Sequence, residues 1–390
     1  MPGSIGSYTV QNYGRMIGDK IRTDSYIRGL KRAIELRPNA VVLDIGTGTG
    51  IFAMMAARFG ARHIYAIEPD NAIHVAKQLA VANGYADRIE FIQGLSTDLE
   101  LPEKADIIIS DIRGTLPLFD HHLQTIMDAR KRLLAPDGLQ LAQRDTLTAA
   151  LINAPEVYTR TVEPWKENMY SLDVQAARHL TINCWGNDKL KPEQIVMQPQ
   201  QWATLDYTSL EDVNTSGTIQ WTATEADTVH GFTIWFDTTV FEDIRFSGAV
   251  GQTDLVYGRI FVPFATPIDL TTGDTLTLSL RANFVGGDYI WLWDTVVTNE
   301  SAPNTQKVNF RQSTLLGEAF SPDYLRRRAD SFVPAVNDDG KIVRFVLQAM
   351  EQNLALGEIA NKLTQQFPER FQNWRAALDR AADLSAKYSL

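Results

Sequence analysis

The stretch over residues 41–50, VVLDIGTGTG, with its continuation IFAMMAARFG to Gly60, constrains this chain more than any other. Val41, Val42 and Leu43 form an apolar run and Gly46, Gly48 and Gly50 punctuate a turn. Ile51, Met54, Met55 and Phe59 then recur at helical spacing. A strand, a tight turn and a helix in that order open a βαβ unit, and open α/β sheets bind ligands in the crevice at the carboxyl end of such a strand. Glycines there permit backbone angles closed to other residues and let a ligand lie close to the chain. The N–H groups that open the following helix suit an electron-rich group.

A second strand, His63–Ile67, ends in Glu68. An acid about 20 residues beyond the glycines can accept hydrogen bonds from a ribose diol. Spacing alone leaves two options open, a nicotinamide dinucleotide or another adenosine-bearing cofactor. The pattern Asp44-x-Gly46-x-Gly48-x-Gly50 resembles the S-adenosylmethionine signature of Rossmann-like methyltransferases. In that family the acid before the glycines faces the methionine amino group. The resemblance therefore implies S-adenosyl-L-methionine as cofactor, held by Asp44, Gly46, Gly48, Gly50 and Glu68.

Bulk properties narrow the class. A chain of 390 residues exceeds one ordinary core, so two or three domains are expected. With 44% hydrophobic residues and no apolar run of transmembrane length, a globular protein without a membrane partner is expected. Residues 1–8 are small and polar and do not read as a signal peptide. Cys184 is the single cysteine, which excludes an internal disulfide or a cysteine-based zinc site and fits a reducing cytoplasm. A net charge of −10 argues against nucleic acid as main partner and is compatible with a cationic one.

Residues 8–34 read as one or two helices, with Met16, Ile17, Ile21, Tyr26, Ile27, Leu30 and Ile34 at intervals of three and four. Arg28, Lys31 and Arg32 supply a solvated basic face. The run Met16-Ile17-x-Asp19-x-x-Arg22-Thr23-x-x-Tyr26 resembles the N-terminal motif that protein arginine methyltransferases lay over their cofactor. That resemblance makes Arg22 a clamp on the methionine carboxylate, a task suited to the paired donors of a guanidinium. It also places Met16 on the cofactor and Tyr13 on the substrate side. Residues 71–83 read as a helix and 89–93 as a strand, after which the resemblance sets Ser96 and Thr97 along the adenine edge.

Residues 105–111, ADIIISD, read as a buried strand ending in a carboxylate, and a loop leads from it into a helix holding Asp120. This resembles the family's double-acid loop, in which two glutamates nine residues apart pinch the substrate guanidinium. Asp111 and Asp120 keep the interval and shorten each arm by a methylene, so they are the candidate catalytic pair. Carboxylates can hold a cationic nitrogen by charge-assisted bonds, and one can draw off a proton. The shorter arms imply an acceptor that sits deeper or differs from peptidyl arginine. Arg113, in the same loop, repels a guanidinium unless it pairs with an acid, and it is also a candidate for binding a substrate carboxylate. His121 and His122 point about 100° apart on a helix, and surface positions are expected for both.

A helix over residues 123–134, the block Leu133-Leu134-Ala135-Pro136-Asp137-Gly138 and a strand near 139–141 close the nucleotide domain, residues 1–145. Strand patterns then recur at residues 147–152, 217–223, 231–239, 257–264, 275–282 and 289–297. Val229-His230-Gly231-Phe232-x-x-Trp235-Phe236-Asp237 and Leu270-x-x-Gly273-Asp274 resemble the family's C-terminal β-barrel, assigned here to residues 146–310. Trp165-x-x-Asn168-x-Tyr170-x-x-Asp173 precedes it, and residues of about 171–190 correspond to the arm that docks on a partner, implying a homodimer. Leu255-Val256-Tyr257 stands where the family has Thr-His-Trp. Residues 298–320 have linker composition, and 321–390 read as three amphipathic helices of a helix-turn-helix or winged-helix-like unit. That unit faintly resembles the peptide-docking domains of peptide-modifying enzymes, with packing or dimer support as the other readings.

The expected fold class is thus α/β plus β, a Rossmann-like domain, a β-barrel and a small helical domain. The expected function is methyl transfer to a guanidino or amine nitrogen on a peptide, a protein or a free metabolite. A small-molecule N- or O-methyltransferase whose substrate offers a carboxylate or hydroxyl stays open, as does a cofactor-binding inactive partner subunit.

Overall fold

The structure, a computed structural model, describes residues 8–166 and 170–389. Its first two helices are α1 (Val10–Gly18) and α2 (Lys20–Leu36), and Asp19 divides them. The Asp19 carboxylate accepts the Arg22 N–H at 3.1 Å and caps α2. Its other oxygen accepts the Val256 N–H at 2.8 Å. The packing face of α2 is Tyr26, Leu30, Ala33 and Ile34, whereas Ile17 and Ile21 are exposed, because those two sit around the break rather than on the α2 stripe.

The chain then alternates β1 (Val41–Ile45), α3 (Ile51–Phe59), β2 (His63–Ile67), α4 (Ala72–Ala82), β3 (Ile89–Ile92), β4 (Ala105–Ser110), α5 (His122–Arg132) and β5 (Leu134–Leu141). The five strands are parallel in the order β3-β2-β1-β4-β5. Strand order reverses between β1 and β4, which puts a ligand crevice at their carboxyl ends. Buried strands of this kind read as unbroken apolar runs, as β4 does with Ile107, Ile108 and Ile109. Asp120 lies outside α5, contrary to the expected helix: it occupies a turn with φ +43, and the helix begins two residues later.

An antiparallel, barrel-like region follows with β6 (Arg144–Ile152), α6 (Pro155–Thr161), α7 (Gln175–Thr181), β7 (Gly186–Asn187), β8 (Gln200–Asp206), β9 (Thr215–Thr222), β10 (Asp227–Phe241), β11 (Ile244–Ser247), β12 (Ile260–Leu270), β13 (Asp274–Val285), β14 (Asp288–Asn299) and β15 (Ala302–Ser313). One sheet runs β7-β12-β10-β6-β8 with β11 paired to β10, and the other runs β15-β14-β13-β9. Residues 302–313 are a strand and not the expected linker. Val308 and Phe310 alternate inward from this edge while polar residues face water, so the segment's composition hides its period of two. In the expected arm, Asp173 accepts the Gln175 N–H at the start of α7, and Tyr170 is 92% exposed. Asn168, singled out in the same motif, lies outside the described residues.

Val42 and Ile107 of the parallel sheet and Leu147 and Ala149 of β6 belong to one continuous apolar core, so the two regions up to Glu318 form a single compact unit. A second unit begins at Ala319 and holds α8 (Pro322–Arg327), α9 (Asp338–Glu351), α10 (Leu356–Gln366) and α11 (Trp374–Tyr388). Its core is Ile342, Val346, Ile359, Leu363, Phe371, Ala377, Ala381 and Leu384. Trp374, at the start of α11, is 44% exposed and donates its indole N–H to the Gly357 carbonyl at 3.4 Å. Among the described residues of this unit no strand forms, so the wing of a winged helix has no counterpart there. No described helix is long and apolar enough to cross a membrane.

Candidate functional site

A cleft of about 240 Å³ opens at the β1–β4 switch point. Of the residues singled out above, it is lined by Tyr13, Met16, Arg22, Gly46, Gly48, Glu68, Asp111, Arg113 and Asp120. Residues 235 positions apart in the chain thus meet at one place, since Tyr257 also reaches Asp111 and Arg22.

The side formed by the first two strands is built largely from backbone. Gly48 has φ +55, and a Cβ there would lie 2.5 Å from the Tyr13 ring, so only glycine lets the helix α1 aromatic settle on the turn. Glu68 is buried at the end of β2, with one oxygen accepting the Gly48 N–H at 2.8 Å and the other the Asp70 N–H at 3.0 Å. Burial raises its pKa against the lowering pull of those two amides. Helix α3 starts at Gly50 with no side-chain cap from that residue.

Asp44 is not on the cleft wall. It is fully buried beneath the turn, accepting the Thr47 hydroxyl at 2.6 Å and the Ala53 backbone N–H, so it braces the start of α3. Burial pushes its pKa up to about 7. Gly50, Ser96 and Thr97 also lie off the wall. The Ser96 and Thr97 carbonyls accept from Arg132 of α5, and Thr97 is exposed, so the structure does not bring the expected adenine-edge pair to the cleft. Tyr13, expected on the substrate side, lies over the glycine turn at Gly48.

The opposite side is built from charged side chains. The Asp111 side chain is 3% exposed: one oxygen accepts from Arg22 Nε and from the Tyr257 hydroxyl at 2.6 Å, the other from Arg113 Nη1 at 2.8 Å. Burial alone would raise its pKa, but the Arg22 and Arg113 charges and the Tyr257 bond outweigh that and hold it below the usual carboxylate range. Arg22, expected to be free for a carboxylate, is therefore already tied to Asp111, and its Nη1 also donates to the Met16 carbonyl at 3.2 Å.

Four of the five Arg113 N–H donors are engaged. Its Nε and Nη2 grip both oxygens of Asp145 at 2.6 and 3.2 Å, and Nη1 also reaches the Tyr26 hydroxyl. With a side chain 1% exposed it has no face left for a substrate carboxylate, which corrects that expectation. Asp145 further accepts from the Tyr207 and Thr238 hydroxyls. His122, expected at the surface, is buried against Tyr207 with Nε2 3.3 Å from its hydroxyl, and burial lowers its pKa to about 3. His121 does stay exposed. Asp120 is the acid of the pair that no arginine holds among the described residues; the His121 Nε2 atom lies 3.8 Å from it, and its side chain is 45% exposed.

Reading the sequence missed Tyr257, Asp145, Tyr207 and Tyr26 as members of this network. Tyr257 carried a signal, since it stands in the loop that departs from the family pattern; Asp145 carried none, being one acid at the start of a strand.

Residues 19–142 match the family model described as ribosomal protein L11 methyltransferase, and residues 143–255 match the arginine methyltransferase oligomerization subdomain. Protein arginine N-methyltransferase 1 of Schizosaccharomyces pombe is 34% identical over 228 residues, 57% of this chain and 66% of that protein. Probable protein arginine N-methyltransferase 6 of Arabidopsis thaliana is 30% identical over 240 residues, 60% of this chain and 54% of that protein. The chain thus spans between half and two thirds of the length of these curated relatives. Among solved structures, the Trypanosoma brucei PRMT1 enzyme-prozyme heterotetrameric complex with AdoHcy superposes with a TM-score of 0.69 at 23% identity, covering 77% of this chain and 96% of that one. Arabidopsis thaliana protein arginine methyltransferase 10 gives 0.69 at 22% identity, covering 79% and 97%. The fold of residues up to the barrel-like region is the one these structures share.

Proposed function

We propose that this chain, protein arginine methyltransferase-like in sequence and fold, is an S-adenosylmethionine-dependent methyltransferase acting on a guanidino or amine nitrogen. The observation that carries this reading is a single cleft with Glu68 beside the glycine turn on one wall and Asp111 and Asp120 on the other. The residues fit the cofactor. Each Glu68 oxygen keeps a lone pair for a ribose hydroxyl, Tyr13, Met16 and Phe52 offer apolar surface, and the Arg22 guanidinium stands at the far end for a carboxylate.

When bound, S-adenosylmethionine supplies a methyl group on a sulfonium, a leaving group that needs no protonation. The chain's own work is positioning. The cofactor would supply its methyl group to the acceptor nitrogen's lone pair, and Asp120 would take up the proton that the nitrogen gives up. Arg22 lies between the two halves: by binding a cofactor carboxylate while holding Asp111, it ties acceptor geometry to cofactor binding.

The PRMT1 complex of Trypanosoma brucei is a heterotetramer, and the model matched by residues 143–255 describes an oligomerization subdomain, which supports an assembly built through this region and, in its simplest form, a homodimer. A peptide or protein acceptor and a cytoplasmic location accord with this reading. The engagement of Asp111 by Arg22, Tyr257 and Arg113 favours one second reading, a cofactor-binding partner subunit without turnover. Calorimetry with S-adenosylmethionine and S-adenosylhomocysteine, followed by labelled-methyl transfer to a host extract split into macromolecular and small-molecule fractions, tests both. Binding with label transfer supports the enzyme, binding without it the inactive subunit, and uptake of a nicotinamide dinucleotide instead overturns both.

A further inference from the structure

We propose that Arg113, fixed by Asp145, sets acceptor specificity by occupying Asp111, so that the cleft takes an aliphatic amine in preference to a guanidinium. The inference rests on the methyl-transfer reading above.

The lone pairs of Asp111 limit what it can hold. A carboxylate offers about four acceptor positions, two per oxygen. On Asp111, Arg22 Nε and the Tyr257 hydroxyl take both positions of one oxygen, and Arg113 Nη1 takes one of the other. One position remains. A planar guanidinium is best held by two parallel bonds to two oxygens of one carboxylate. Asp111 cannot offer that grip while Arg113 and Tyr257 are in place. An ammonium is a compact charge with three donors that needs only one bond per partner.

Charge gives the same answer. Arg22, Asp111, Arg113 and Asp145 are linked in one buried row in which two positive and two negative groups cancel. On the acceptor side Asp120 is left as the carboxylate without an arginine, enough for one localised positive charge and for the proton that the amine gives up before its lone pair attacks. Arg113 cannot swing aside to admit a guanidinium, because both Asp145 oxygens hold it and the Tyr207 and Phe236 rings lie against its guanidinium at 5.7 and 5.6 Å.

The test uses the full chain, labelled S-adenosylmethionine and two short peptides identical but for one lysine in place of arginine. The lysine peptide is expected to be methylated with a kcat/KM at least about tenfold higher. In the double variant Arg113→Met/Asp145→Ala, which removes both partners and leaves no unpaired buried charge, the ratio is expected to move at least about tenfold toward arginine. A ratio within one protein preparation does not depend on how much of that preparation is folded. Arginine preferred in the unaltered chain, methylation of neither peptide, or a ratio unmoved by the double variant overturns the proposal. Calorimetry with S-adenosylhomocysteine on the same samples separates the two readings. Binding with arginine preference sinks only this inference, whereas no binding sinks the methyltransferase reading beneath it.

Discussion

The two walls of the cleft are made of different material. On the β1–β2 side the polar groups are met by backbone: Glu68 by two amides, Asp44 by one amide and a hydroxyl three residues away. On the β4 side they are met by side chains brought from far along the chain: Asp111 by Arg22 and Tyr257, Arg113 by Asp145. Backbone groups are fixed by the fold itself, so the first wall tolerates change in its neighbours. Each charge on the second wall depends on another, so removing one leaves its partner buried and uncompensated.

That contrast can be broken by mutation. The largest effect is expected for Arg113→Met, which strands Asp145 at 0% exposure and costs about 3–5 kcal/mol in urea unfolding. The Arg113→Met/Asp145→Ala double variant should recover most of the loss; a double variant as unstable as the single one would refute the pairing. Next, Glu68→Gln should weaken S-adenosylmethionine binding by about ten- to hundredfold in calorimetry and cost about 1–3 kcal/mol in urea unfolding, since the amide nitrogen cannot accept from one of the two backbone N–H groups that Glu68 satisfies. Tyr257→Phe removes one donor from Asp111 and should cost on the order of 1 kcal/mol, with a lower kcat and little change in cofactor affinity. Equal losses on both measures would place Tyr257 on the cofactor wall instead.

Asp44 sharpens the comparison through pH. Its folded pKa, about 7, lies above the ordinary carboxylate value, so the folded chain keeps the proton where the unfolded chain has released it. The stabilisation this brings is complete below about pH 4 and is lost as pH rises through about 7. Denaturation midpoints followed from pH 5 to 8 should therefore fall more steeply for the unaltered chain than for Asp44→Asn, and parallel slopes would contradict a buried, protonated Asp44. The smallest effect is expected for Thr97→Ala, which should leave cofactor affinity within about twofold because Thr97 is exposed and off the wall.

The first wall was the legible one. Its turn, its glycines and its acid occur within 28 residues, and local spacing carries the reading. Asp111 and Asp120 were also found, through their loop, but their states were not. The bond from Arg22 to Asp111 spans 89 positions and that from Tyr257 spans 146, and no periodicity connects such pairs. His122 was misplaced for the same reason, since its burial comes from Tyr207, 85 positions away. β15 was missed because its inward residues alternate with a polar edge.

By itself, then, the sequence determined a parallel sheet with a glycine turn, an acid at the end of its second strand and a loop with two carboxylates, because those features depend on neighbours within a few turns of chain. Only the tertiary structure decided that one carboxylate is already engaged and the other free. Charge compensation inside a core is settled by which side chains arrive there, and that depends on the packing of β6, β10 and the Tyr257 loop against the sheet.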